Sequence, residues 1–280
     1  MRWFHVLGAL LLSVSLSIAC LALVGYLVRP IYSNVPQQPR AMVISTPTTP
    51  KPSPSHQERV PILLYHAIGD FEAVGQELFI EEETFEAQLQ YLRSNGYTTI
   101  TFAMLNDHWE QGVPLPEKPI IITFDDGYRS FYNLALPLLR AYGMTATVFV
   151  ITNHLDLPRT MTPGMVRDAA TLGIEFGSHS HNHLNLTTCS PEEVMPQLEV
   201  SKELLEDLLG CSIQVLAYPG GAQNAEVRRA ALNAGYLMAV GTVPGVNDYW
   251  SDRFQLQRIY IERKDGVAGF QAKMEAFMGE

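Results

Sequence analysis

Apolar and polar positions divide the chain into three stretches. From Trp3 to Val28 no aspartate, glutamate, lysine or arginine interrupts a mostly apolar run of 26 residues. Coiled as a helix, such a run is about 39 Å long, more than a hydrocarbon core of roughly 30 Å. A secretory signal carries an apolar run of only about 7–15 residues before its cleavage site. Here the run continues through Leu21, Ala22, Leu23 and Val24 to Leu27 and Val28. The expectation is an uncleaved transmembrane anchor over 1–29, with secretion after signal cleavage as the alternative. Residues 30–58 include the stretch PTTPKPSPS, too polar and too proline-broken to pack, and read as a disordered linker. The folded domain is expected over 59–280.

Inside that domain, short β-branched runs alternate with amphipathic segments. The pattern predicts strands at Pro61–Tyr65, Thr98–Phe102, Ile120–Phe124, Thr145–Ile151, Ile174–Gly177, Gln214–Tyr218, Leu237–Thr242 and Leu256–Ile261. Helices fall between most of them. Phe85, Leu89 and Leu92 keep one face, and Gly96 stands where a glycine ends a helix. Ser190-Pro191-Glu192-Glu193 offers an N-cap serine, a first-turn proline and a capping-box glutamate, with Gly210 closing that helix. Pro137 should kink or delay a helix within 129–142. Strands alternating with helices imply an α/β fold, a parallel sheet covered by helices. A barrel is the natural closure, and an open doubly wound sheet is the alternative.

Composition narrows the function classes. Hydrophobic residues make up 47% and charged residues 17%, enough to bury a core and against disorder as the general state. The net charge is −10 with only 19 lysines and arginines, and no basic face stands out, so nucleic acid is excluded as a partner. Cys20 lies in the apolar run, while Cys189 and Cys211 stand apart without CxxC spacing. That rules out a cysteine zinc site and leaves room for one Cys189–Cys211 disulfide in an oxidising compartment.

The unusual polar residues gather at strand ends. The run Ile120–Phe124 leads straight into Asp125-Asp126-Gly127-Tyr128. Adjacent carboxylates repel each other unless a cation sits nearby, although an Asp-Gly pair can equally cap a helix. Ser178-His179-Ser180-His181-Asn182-His183 follows another strand and places three histidines within five residues. One helical turn there would bring His179 and His183 to one side and point His181 away. After a third strand, Pro219-Gly220-Gly221 lets backbone amides approach a ligand closely. Parallel α/β folds put chemistry at the carboxyl ends of strands, where all three clusters lie. Asp126, His179 and His183 make a three-ligand set with an open position, as catalytic zinc sites use. Asp125 is then the spare carboxylate, placed to take a proton during metal-assisted hydrolysis of a carbonyl derivative.

At these residues the chain resembles the polysaccharide deacetylase family, the NodB-homology or carbohydrate esterase 4 group. Thr123-Phe124-Asp125-Asp126-Gly127-Tyr128 is similar to its first motif and His179-Ser180-His181-Asn182-His183 to its second. Ala217-Tyr218-Pro219-Gly220-Gly221 looks like a divergent third. Pro61-Ile62-Leu63-Leu64-Tyr65-His66 and Leu256-Gln257-Arg258-Ile259 resemble the subgroup acting on poly-N-acetylglucosamine. The resemblance implies a distorted (β/α) barrel of about seven strands. It implies a hydrolase that removes N-acetyl groups from such a polysaccharide and releases acetate. Asp125 would be the general base. Asp126, His179 and His183 would bind a divalent metal, zinc first and cobalt or nickel as alternatives. Gly220 would help hold the oxyanion, and Tyr128 would line the substrate groove. The third motif lacks its usual arginine, for which Arg258 is the substitute, and no histidine follows His183 to serve as the late general acid. His66 is the substitute for that acid. Peptidoglycan N-acetylhexosamine or O-acetylated glycans are the alternative substrates, and a glycan-binding pseudoenzyme is the alternative of another class.

Overall fold

A computed structural model describes residues 59–69 and 76–279, so the expected anchor and linker lie outside the described residues. Among the described residues no helix is long and apolar enough to cross a membrane. The strands are β1 (Val60–Tyr65), β2 (Ala67–Ile68), β3 (Phe79–Ile80), β4 (Thr98–Thr99), β5 (Pro119–Phe124) and β6 (Thr147–Val150). They continue with β7 (Glu175–Ser178), β8 (Val215–Ala217), β9 (Met238–Val240), β10 (Val246–Asn247) and β11 (Ile259–Tyr260). The helices are α1 (Glu82–Ser94), α2 (Phe102–Gln111), α3 (Leu136–Tyr142), α4 (Pro163–Thr171), α5 (Pro191–Leu209), α6 (Ala225–Asn233) and α7 (Gly266–Met278).

The main sheet runs β10-β1-β5-β6-β7-β8-β9, with every pairing parallel except that of β10 with β1. The segment carrying β11 joins its two sides. Leu256 bridges Val240 at the end of β9, while Ile259 and Tyr260 pair with Leu63 and Leu64 of β1. The result is a curled, seven-strand α/β sheet closed through a short final strand.

Successive strand side chains point to opposite faces, so the buried residues separate into two groups. Ile62, Ile121, Phe149, Val215, Met238 and Leu256 belong to the smaller apolar cluster, inside the curl. Leu63, Tyr65, Ile122, Phe124, Val148 and Leu216 belong to the larger one, between sheet and helices. All six residues of β1 and of β5 are buried, as strands covered on both faces require. Gly177 on β7 is where the inward space runs out. A Cβ there would stand 2.6 Å from the Phe149 ring, so only glycine lets that ring fill the interior.

Several local expectations are met. Ser190 and Glu193 form the capping box of α5, and Gly210 ends that helix in the left-handed region at φ 69°. Pro137 delays its helix: a wide turn over Phe131–Ala135 precedes α3, with the proline in the first turn. One expectation needs correction. The strand foreseen over Thr98–Phe102 stops at Thr99, because the Thr101 hydroxyl accepts from the Met104 amide and starts α2. The sequence left room for a Cys189–Cys211 disulfide, and in the structure both are free thiols.

Candidate active site

Each strand delivers its side chains to one rim by the same alternation. Asp125 follows β5 and donates its amide to the Tyr65 carbonyl, 2.9 Å away at the end of β1. His179 follows β7, with its amide bonded to the Val150 carbonyl at 2.9 Å. These bonds extend the parallel ladder just past its ends and fix where both side chains emerge.

Asp126, His179 and His183 offer donor atoms that all lie within 4.8 Å of one another. The Nε2 atoms of both histidines stand 3.6 Å from Asp126 Oδ1. The convergence does not use the helical turn expected from the four-residue spacing. The segment is an irregular loop in which Ser180 and His183 take φ of 62° and 58°. Gln197 of α5 holds this loop, accepting from the His181 amide at its carbonyl (3.0 Å) and from the Asn182 amide at Oε1 (2.7 Å). His181 does point away, its Nδ1 lying 2.9 Å from Thr152 Oγ1. Asp126 is also left-handed, at φ 67°. Such conformations are strained for residues other than glycine, and they concentrate at functional sites.

The donor chemistry suits a divalent cation. His179 Nδ1 lies 2.7 Å from the Ala217 carbonyl. A carbonyl only accepts, so the proton sits on Nδ1 and Nε2 keeps its lone pair facing Asp126. One carboxylate and two imidazoles from two loops match a three-ligand site with an open position.

Asp125 sits beside this cluster in a different environment. It is 3% exposed, and Arg258 grips it through two bonds, Nη1 to Oδ1 at 2.7 Å and Nη2 to Oδ2 at 2.8 Å. Burial pushes the carboxyl up, but the guanidinium charge, His179 and those bonds outweigh it and hold the pKa at about 2. Arg258 is wholly buried. Its Nε bonds the Gly241 carbonyl at 2.7 Å, its Nη1 also reaches Thr123 Oγ1, and its guanidinium lies over the Phe149 ring. It therefore faces Asp125 from inside the curl and offers nothing to a substrate surface.

The remaining candidates surround the cluster. The His66 ring packs edge-on to Tyr260 at 5.8 Å, and its Nδ1 is buried without a hydrogen-bond partner. Burial lowers its pKa, against the pull of Asp125 and Asp126. The Tyr128 hydroxyl is pushed up to about 12, by burial first and then by the Asp126 carboxylate it faces. Gly220 takes φ 60° in the turn after β8, in the left-handed region that glycine enters freely. Burial and His179 lower the pKa of His183, with a smaller push from His154, a residue that no sequence motif singled out. That histidine lines a cavity of about 160 Å³ with Asp126, Tyr128, Ile151, Thr160 and His183. Its one sequence signal was its position just past β6, at the same rim. A separate cavity of about 260 Å³ between α5 and α6, lined by Leu186, Val194 and Val227, contains none of the clustered donors.

The sequence relationships agree with this geometry. Residues 112–239 match the polysaccharide deacetylase family. YxkH of Bacillus subtilis, a protein assigned to the polysaccharide deacetylases, is 32% identical over 218 residues, 78% of this chain and 77% of its own length. The poly-beta-1,6-N-acetyl-D-glucosamine N-deacetylase of Staphylococcus aureus is 26% identical, over 67% of this chain and 72% of that one. Among solved structures, the Streptococcus pyogenes deacetylase PplD superposes with a TM-score of 0.73 at 27% identity, covering 80% of this chain and all of that one. With these relatives, and with two acidic residues and two histidines converging at the carboxyl rim of the sheet, the chain belongs to the polysaccharide deacetylase family of hydrolases.

Proposed function

We propose that this protein removes N-acetyl groups from a poly-N-acetylglucosamine-like polysaccharide and releases acetate, with a divalent metal bound by Asp126, His179 and His183. The observation that carries the reading is the pairing of that compact donor set with an adjacent carboxylate that Arg258 keeps ionised. A divalent ion supplies Lewis-acid polarisation of the acetyl carbonyl and a more acidic water.

The chain's own residues supply the proton traffic. Asp125, always ionised at neutral pH, accepts the proton of the attacking water; its low pKa makes it a weak base held in fixed orientation. Burial favours the neutral His66 ring, so His66 would first take up the proton that Asp125 accepts and then return it to the amide nitrogen as the carbon–nitrogen bond breaks, leaving acetate and a free amine. The Gly220 amide supports the oxygen that gains charge. Tyr128 lines both the 160 Å³ cavity beside the cluster and a second of about 230 Å³ lined also by Phe79, Arg129, Pro158 and Arg159. Two spaces joined by one tyrosine suit an extended ligand rather than a single sugar.

The apolar run over 1–29 and the proline-rich stretch over 30–58 support a membrane-anchored enzyme whose domain, 59–280, works outside the cytoplasm on a tethered or nearby polymer. Acetate release by the full chain from β-1,6-linked N-acetylglucosamine oligomers tests the function. Turnover should stop with a chelator and return with zinc, cobalt or nickel. Equal activity with and without chelator would remove the metal from the scheme, and release only from peptidoglycan would move the substrate.

A further inference from the structure

Three loops surround the 160 Å³ cavity, and one of them carries a histidine with no role in the scheme above. His154 is half-buried and lines that cavity together with His183. Among the described residues neither of its ring nitrogens has a hydrogen-bond partner. Its ring also lies outside the donor cluster formed by Asp126, His179 and His183.

The backbone of the loop that carries it is firmly tied down. The Met161 amide bonds the Gly127 carbonyl at 3.0 Å, and the Arg129 amide bonds the Arg159 carbonyl at 2.8 Å. The Arg129 side chain reaches back to the Thr160 carbonyl (3.0 Å) and the Leu157 carbonyl (3.2 Å). Thr160 Oγ1 donates to the His154 carbonyl, and the His154 amide bonds Ile151 at 2.9 Å. Thus the turn that carries Asp126 and the loop that carries His154 are one stapled unit. Asp156 within that loop takes φ 67°; with Asp126, Ser180 and His183 it completes the set of left-handed non-glycine residues described. All four lie in the three loops around the cavity. Backbone strain of this kind persists only where surrounding contacts over-determine it.

We infer that His154 is a substrate-contacting residue that hydrogen-bonds a hydroxyl of the sugar bearing the acetamide, and so sets affinity for the glycan rather than the rate of bond breaking. The inference rests on the deacetylase reading of the site. An imidazole offers one donor and one acceptor, and a sugar hydroxyl offers the same pair, so the two match in either tautomer. Tyr128 faces Asp126, and the Thr160 hydroxyl is turned to the His154 carbonyl. His154 is left as the wall's polar group for a ligand.

The test compares the full-length enzyme with His154→Ala and His154→Gln on β-1,6-linked N-acetylglucosamine oligomers and on 4-nitrophenyl acetate, which has no sugar. His154→Ala should raise KM for the oligomers about tenfold, the weight of one hydrogen bond to a bound ligand. It should leave kcat within about twofold, metal content unchanged and KM for the small ester unchanged. His154→Gln, which keeps a donor and an acceptor, should recover most of the affinity and remains informative if the alanine variant does not fold. An unchanged KM, a fall in kcat alone, or a loss of metal would each overturn the inference. Calorimetric binding of the oligomer to wild type and His154→Gln makes the same comparison without turnover. Absence of acetate release by wild type would instead refute the deacetylase reading, leaving the binding comparison to decide the role of His154.

Discussion

Two enclosed carboxylates stand at opposite ends of the curled sheet, and their environments differ in one respect. Asp125, at the carboxyl rim, is held by the Arg258 guanidinium and has its pKa drawn down to about 2. Glu175, at the start of β7, accepts from the Phe102 and Ala103 amides, both at 2.9 Å, and from Thr147 Oγ1 at 2.6 Å. It caps the first turn of α2, and burial leaves its pKa raised in spite of those three bonds. Enclosure pushes both carboxyls toward the neutral form. Neutral donors do not reverse that push, whereas a full positive charge does. The rim carboxylate is thereby kept ionised, and the one at the base serves as a helix cap.

The sharpest way to break this contrast is at the rim. His179→Ala removes one of the three proposed metal ligands, so activity should fall to background and bound metal should be lost on dialysis. A variant that retains one equivalent of metal would refute the assigned set. Asp125→Asn should keep metal yet lower kcat about 10³-fold, within the range for removing a positioned proton acceptor. Arg258→Met leaves Asp125 buried beside no countercharge, and denaturant unfolding should show a loss of about 3–5 kcal/mol. An Arg258→Met protein as stable as the parent would mean that the pair adds nothing to the fold.

Glu175→Gln sharpens the other side. Kinetics should be unchanged, while stability at neutral pH should change by about 1 kcal/mol, the scale of one altered hydrogen bond. The pH dependence of the metal-free protein separates the two carboxylates by sign. Folded Glu175 binds its proton more tightly than the unfolded chain does, so its contribution is complete below 4.5 and declines as pH rises through the raised folded value. Asp125 runs the other way: its contribution is present above 3.8 and is lost as pH falls toward about 2. Melting temperatures across pH 4–8 should therefore show a shallower decline in Glu175→Gln than in the parent. Parallel curves would show that Glu175 does not titrate in that window.

Much of the site was legible in the residues alone. The Asp125-Asp126 pair and the histidine cluster follow buried runs, and strand ends in parallel α/β folds share a rim, so the sequence alone brought the donors together. The route of convergence was not legible. A four-residue spacing suggests a helical turn, but left-handed Ser180 and His183 give an irregular loop, because Gln197 of α5 takes up the loop's amides. His154 was missed because a lone histidine has no local pattern, and only the staples to Gly127 and Arg129 bring it to the cavity.

What the sequence determined by itself is the alternation of buried strands and amphipathic helices, and the residue types gathered at their ends. Those are short-range properties, set by side-chain period and capping chemistry. What the tertiary structure decided is the identity of the partners. Arg258 lies 133 residues from Asp125 along the chain, and they meet because the last strand completes the curl beside β1. No local pattern encodes that meeting, since it depends on the register of every strand between them.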